Sequence, residues 1–383
     1  MKKYSNETDD KEPASGPQSA SRRPVPAFKM IDLHQDILLH ERDPDAYKYK
    51  DQTSLERVVS SGIKLVFGTG FVFGKSPVDD GAGGVKSTVN VFDPACMDMI
   101  EADIDQYVRF EENSVRNVGS VTENGDEGKN AGEVRKVGDF RIIRNRSDFD
   151  ALDASKSSIA TGLIIHIEGL NTFEDTAKCW SRLETFYDKG LRSIGMTWSK
   201  ANSLGGGDED PDQGLTDLGK KLITWANDRG VLIDCAHMSE KSFFDVAACT
   251  KAPLFVSHGN ARALCDIPRN YSDEQLRRIG ESGGLIGVFF ANSCLVPQGM
   301  STIDDVVRHI AHISDLIGID YVAIGSDLGG LVLNIPEGLR RVEDLGNLAA
   351  ALADKGFTHG EISKIFYQNA AAFLRKFLSE GQE

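Results

Sequence analysis

An imidazole and a carboxylate stand two residues apart, His34 and Asp36, at the end of the first apolar run, FKMIDLH (28–34). Side chains alternate across a strand, so the two point the same way and form a pair suited to a divalent metal. Alone, a core histidine and a loop aspartate would read the same way. A second apolar run ends His166-Ile167-Glu168. A carboxylate after such a run is costly to bury unpaired and calls for a metal or a cation, or else a helix cap. His166 lies on the same face but deeper, where a packing role fits better. Two further runs end Asp234-Cys235-Ala236-His237 and Ser257-His258, and another ends Ser326-Asp327, where the acid could also cap a turn.

Taken together, His34, Asp36, Glu168, His237, His258 and Asp327 are the set that a two-metal hydrolase needs. Glu168 would bridge two ions about 3.5 Å apart, and a hydroxide between them would be the nucleophile. Two cations sharing its charge would bring its pKa toward neutrality. Asp327 would take the proton and pass it to the leaving nitrogen. Nitrogen and oxygen ligands without thiolate suit catalytic zinc, with manganese or iron still open.

Such a set must be positioned by several strands. Eight apolar runs read as buried parallel strands: 28–34, 62–69, 161–167, 192–198, 230–236, 253–257, 284–290 and 321–326. Helical patterns fill most of the intervals, at 95–115, 174–189, 215–229, 240–250, 273–281 and 303–317, and two more follow at 343–354 and 359–378. Thr216, Ser239 and Ser272 or Asp273 are placed to cap three of them, and Asp304 and Asp305 fall in the first turn of another. This alternation predicts an α/β fold, a (β/α)8 barrel whose site lies at the C-terminal ends of the strands. A doubly wound sheet is the competing architecture, weakened by the lack of GxGxxG after the first strand. The expected organisation is a disordered polar tail over 1–27 and one barrel domain over 28–383. An insertion at about 72–140 is expected, with two Gly-rich acidic loops, 73–86 and 118–133, around a helix.

The chain of 383 residues is 40% apolar, which excludes general disorder. Its net charge of −15 argues against nucleic-acid binding. No run of 18 apolar residues is present, so no membrane span is expected. The first 26 residues lack the apolar stretch of a secretory signal. The six cysteines are scattered without a CxxC pair, which predicts reduced thiols and a cytoplasmic protein.

The sequence resembles the membrane dipeptidase (renal dipeptidase) family of the amidohydrolase superfamily. Five ordered stretches carry the resemblance: IDLHQD (31–36), HIEGL (166–170), GLTDLGKKLITWANDRGVLIDCAHMS (214–239), PLFVSHGNARALCDIPRNYSD (253–273) and GIDYVAIGSDLGG (318–330). It implies a (β/α)8 barrel with a binuclear zinc site. His34 and Asp36 would hold one ion, His237 and His258 the other, and Glu168 would bridge them. Asp327 matches the family's acid/base aspartate. Arg269 matches the arginine that receives the substrate carboxylate, a task for which a planar guanidinium is suited. Members commonly dimerise, and no residue pattern here decides whether a homodimer forms.

This sequence departs from the family in three places. The fourth strand ends Met196-Thr197-Trp198, where the family carries threonine-histidine. That histidine contacts the substrate carbonyl and the tetrahedral intermediate, whereas Trp198 offers only an indole N–H. Losing one such donor costs on the order of 100- to 1000-fold in rate. The family's DFDG is here Asp327-Leu328-Gly329-Gly330, so its second aspartate is missing. The polar N-terminal tail stands where anchored members carry a secretory signal, and no hydrophobic C-terminal anchor signal is seen. The expected activity is zinc-dependent hydrolysis of dipeptides. The alternatives are an amidohydrolase acting on N-acyl amino acids or cyclic amides, with Trp198 reshaping the pocket, and a metal-binding protein with little turnover.

Overall fold

A computed structural model describes residues 29–39, 52–71, 74–79, 85–118, 140–155, 160–330 and 335–380. The tail predicted over 1–27 and the acidic loop at 118–133, save its first residue, lie outside the described residues.

The eight predicted strands all form. They are β1 (Ile31–Gln35), β2 (Leu65–Gly70), then, after β3 (Gly74–Asp79), β4 (Val85–Asn90) and β5 (Phe140–Ile142), β6 (Thr161–Glu168), β7 (Leu191–Gly195), β8 (Leu232–Asp234), β9 (Phe255–Val256), β10 (Leu285–Val288) and β11 (Val322–Ile324). Around the ring the order is β1, β2, β6, β7, β8, β9, β10, β11, every pair is parallel, and β11 returns to β1. The sheet is therefore a closed (β/α)8 barrel, and the doubly wound alternative falls with that closure.

Its strands read as unbroken apolar runs because both faces are covered. Phe67 of β2 and Phe255 of β9 stand on opposite sides of the ring, yet their rings stack at 5.4 Å. They can meet only through the barrel interior. Phe373, from the C-terminal helix Asn369–Phe377, continues the stack at 5.7 Å from Phe255. A larger apolar layer lies between the barrel and its helices.

The helix starts follow the expected caps. Thr216, Ser239 and Ser272 accept from the backbone N–H groups of Gly219, Ser242 and Gln275. Three expectations are corrected. The stretch read as a Gly-rich loop over 73–86 includes β3, which pairs antiparallel with β4 as a hairpin. Short helices at Leu55–Ser61 and Arg146–Ala154, and strand β5, were not anticipated. The single helix expected over 359–378 is split by a π-turn at Lys364–Gln368. Four of the six cysteines are buried, and no disulfide joins any of them among the described residues. No helix among the described residues is long and apolar enough to cross a membrane.

Candidate active site

The strand ends converge at one mouth of the barrel. Glu168 closes β6, and its Oε1 lies 3.0 Å from His237 Nε2, 3.4 Å from His258 Nε2 and 3.6 Å from His34 Nε2. His34 Nε2 is also 3.9 Å from Asp36 Oδ2 and 3.6 Å from Asp327 Oδ1. All six residues singled out from the sequence thus meet in one cluster. Both His237 and Asp327 have positive φ, 60° each, as does Ser199 at 55°. This left-handed backbone costs non-glycine residues about 1–3 kcal/mol and persists where packing enforces it. Here it re-aims side chains at the point where the strands end. Gly330 leaves room for the acids, since a Cβ there would lie 2.6 Å from Asp36 Oδ2 and 2.8 Å from Asp327 Oδ1.

The imidazoles are held from behind. His258 Nδ1 is 2.8 Å from the Ser257 hydroxyl, which donates at 2.5 Å to Asp234 Oδ2. His34 Nδ1 is 3.4 Å from the same hydroxyl, and His237 Nδ1 is 3.4 Å from Asp208 Oδ2. Each Nε2 therefore faces the cluster while each Nδ1 faces a supporting oxygen, the arrangement of metal-ligating histidines. Burial pushes His34 and His258 well below the usual imidazole range and His237 to about 4. They stay neutral at pH 7, the state in which an imidazole can bind a metal.

The acids go the other way. Burial, with Asp36 and Asp327 nearby, raises Glu168 far above the ordinary carboxyl range, and burial brings Asp327 to about 7. Among the described residues lining the cavity, Arg269 is the one with a cationic side chain set against these three carboxyls. Buried acids so placed, facing imidazole lone pairs, fit divalent cations.

The cavity above the cluster has a volume of about 490 Å3. Arg269 and Trp198 both line it. Arg269 stacks on Phe289, its Cζ 5.0 Å from the ring centre, and donates to His258 O at 3.2 Å. Its Nη1 is buried without a hydrogen-bond partner. The Trp198 ring lies 5.2 Å from Phe71 and 5.6 Å from His237, so it forms an aromatic wall of the cavity. Gly329, at the position of the missing aspartate, has φ 86°. His166 does more than pack: its Nδ1 is 2.9 Å from Ser193 Oγ and its Nε2 3.4 Å from Asp234 Oδ2. Sequence reasoning missed Asp208 and the supporting roles of Ser257 and Asp234. The Ser-His and Asp-Cys-Ala-His strings were visible, but their hydrogen bonds were not.

A buried cluster of three histidines and three carboxyls, at the mouth of a closed (β/α)8 barrel, defines a metallohydrolase-type site. Residues 21–379 match the family model described as membrane dipeptidase (peptidase family M19), and the chain belongs to that family of metal-dependent dipeptidases. An uncharacterised Klebsiella pneumoniae protein is 36% identical over 253 residues, covering 63% of this chain and 90% of the relative. An uncharacterised dipeptidase of Schizosaccharomyces pombe is 32% identical over 205 residues, 51% of this chain and 47% of its own length. The chain thus spans most of the first relative and about half of the second. Among solved structures, a metallopeptidase described as dipeptidase AC matches with a TM-score of 0.72 at 25% identity, over 92% of this chain and 99% of that one. A Rhodobacter sphaeroides metallopeptidase, solved with a phosphinate mimic of L-Ala-D-Ala, matches with a TM-score of 0.72 at 24% identity, over 91% and 99%. That second likeness is one of fold.

Proposed function

We propose that this chain hydrolyses dipeptides bearing a free C-terminal carboxylate, using two divalent ions, zinc by the chemistry of the ligands. The observation that carries the reading is Arg269: a buried guanidinium with an unpartnered Nη1, set in the cavity wall beside the acid–imidazole cluster. His34 and Asp36 would hold one ion, His237 and His258 the other, and Glu168 both. Bound there, such ions lower the pKa of water toward neutrality and polarise an amide carbonyl.

The rest falls to the chain. Arg269 receives the substrate carboxylate bidentately, and Phe289 keeps its plane fixed. Asp327, its carboxyl brought to about 7 by burial, is poised to accept a proton from the attacking water and return it to the leaving amine. The supporting hydroxyl of Ser257 and the carboxylate of Asp208 keep the imidazole Nε2 atoms turned inward. Cysteines without disulfides are in keeping with a reducing, cytoplasmic setting.

A second reading is favoured by the Trp198–Phe71 wall, which offers a flat apolar surface where the family carries histidine. An N-acyl amino acid or a cyclic amide would suit it. One experiment separates the two. Zinc-loaded protein, with a chelated control, is given dipeptides, their C-terminal amides and N-acyl amino acids. The dipeptidase reading expects chelator-sensitive cleavage of free dipeptides, with the amides slower on the order of 100-fold for want of the Arg269 ion pair. Faster turnover of N-acyl amino acids moves the assignment to the second reading. Metal-loaded protein that leaves every dipeptide intact ends the first.

A further inference from the structure

The loop after β7 brings a buried acid up behind the cluster. Its run Gly205-Gly206-Gly207 is pressed against backbone: a Cβ on Gly206 would lie 2.2 Å from Gln213 O, and one on Gly207 2.3 Å from Ser199 O. The loop is also tied to the end of β8, since Asp208 N donates to His237 O at 3.1 Å and Ser239 N to Gly206 O at 2.9 Å. These contacts fix Asp208, which is 6% exposed. Its Oδ2 lies 3.4 Å from His237 Nδ1 and 3.6 Å from Arg269 Nε. No hydrogen-bond partner meets that oxygen more closely, although it is fully buried. One carboxylate oxygen thus faces both a residue of the metal cluster and the guanidinium of the cavity wall.

We infer that Asp208 is a positioning residue that ties the imidazole of His237 to the guanidinium of Arg269, so that metal binding and carboxylate docking are coupled through one side chain. The inference rests on the proposed dipeptidase reading for its substrate half only. On the metal side, an acceptor at Nδ1 fixes the tautomer and the ring plane, which leaves Nε2 as the ligand. On the substrate side, the same charge holds Arg269 by its Nε, while Nη2 donates to His258 O and Nη1 is left without a partner. Loss of the charge would loosen both at once. Coupling of this kind is reciprocal, so bound carboxylate should tighten the metal as metal tightens the carboxylate.

The test uses the full chain with Asp208→Asn and, as a loop control, Asp210→Asn. Asp210 lies in the same loop and accepts from Ala201 N at 2.6 Å. Zinc affinity is measured by competition with a chromophoric chelator, kinetics on a dipeptide and its C-terminal amide, and folding by melting temperature. The expected result for D208N is zinc affinity weaker by about 10- to 100-fold. KM should rise for the free dipeptide and much less for the amide. D210N should keep wild-type zinc affinity and the wild-type KM ratio, whatever its melting temperature. Unchanged zinc affinity in D208N, or an equal loss in D210N, overturns the inference. Wild-type protein that binds zinc but cleaves no dipeptide removes the functional reading and leaves the zinc comparison to decide the His237 contact.

Discussion

Asp327 carries two burdens that pull against each other. It sits 3.6 Å from His34 Nε2, close enough to be taken for a ligand, yet its burial-raised carboxyl is what a proton shuttle near neutral pH requires. Its left-handed backbone, with the φ of 60° that His237 shares, re-aims the carboxyl at the strand end, and substitution separates the two roles. Asp327→Asn preserves shape and one acceptor but cannot take the proton. Turnover should fall by about 100- to 10,000-fold while bound metal, measured by elemental analysis, stays at the wild-type ratio. Turnover within tenfold of wild type would remove the shuttle role, and loss of metal would make Asp327 a ligand instead.

The elements that present these residues are joined by two matching staples. Asp32 on β1 accepts the backbone N–H and hydroxyl of Ser326 beyond β11, at 2.8 and 2.5 Å, and Asp234 on β8 accepts those of Ser257 beyond β9, at 2.8 and 2.5 Å. Each staple locks a short strand to its neighbour just where both turn toward the site. Ser326→Ala should cost about 1–3 kcal/mol, because it strips a donor from a buried carboxylate. Urea unfolding should show a lower midpoint at unchanged slope, and an unshifted midpoint would deny the staple its role. The strands themselves were legible in the sequence because burial on both faces leaves a continuous apolar signature, and the cluster residues were legible because they end those runs. What escaped has physical reasons. GKSPVD and VKSTVN of the hairpin mix a proline with polar residues and give no alternation to read. A π-turn adds one residue without changing composition, so Lys364–Gln368 hid inside a helical pattern. Asp208 lies among three other acids of a Gly-rich loop, and nothing in its spacing tells it from Asp210 or Asp212.

For the whole molecule, the cluster links folding to protons and to metal. Without metal, the folded protein keeps protons on Asp327 up to about pH 7 and on Glu168 well above the ordinary carboxyl range. Unfolded, both acids ionise near pH 4. Wherever the folded state holds more protons, stability falls as pH rises, so these acids weaken the metal-free protein from about pH 4 through 7. The buried histidines act in the opposite sense, since the unfolded chain protonates them below about 6.5 and the folded one resists. Above that pH their contribution is flat, which leaves the acids to decide. Divalent ions displace the acid protons, so their affinity rises through the same window. A thousandfold excess over the dissociation constant stabilises by about 4 kcal/mol, several degrees of melting temperature for a chain of this size. The gap in melting temperature between zinc-loaded and chelated protein should therefore widen from pH 6 to pH 8. Melting curves at pH 6, 7 and 8, each with and without chelator, give that gap directly. A gap that is constant or narrows would mean that the acids of this cluster do not give up protons to a metal, and the ligand set drawn from Glu168 outward would have to be abandoned.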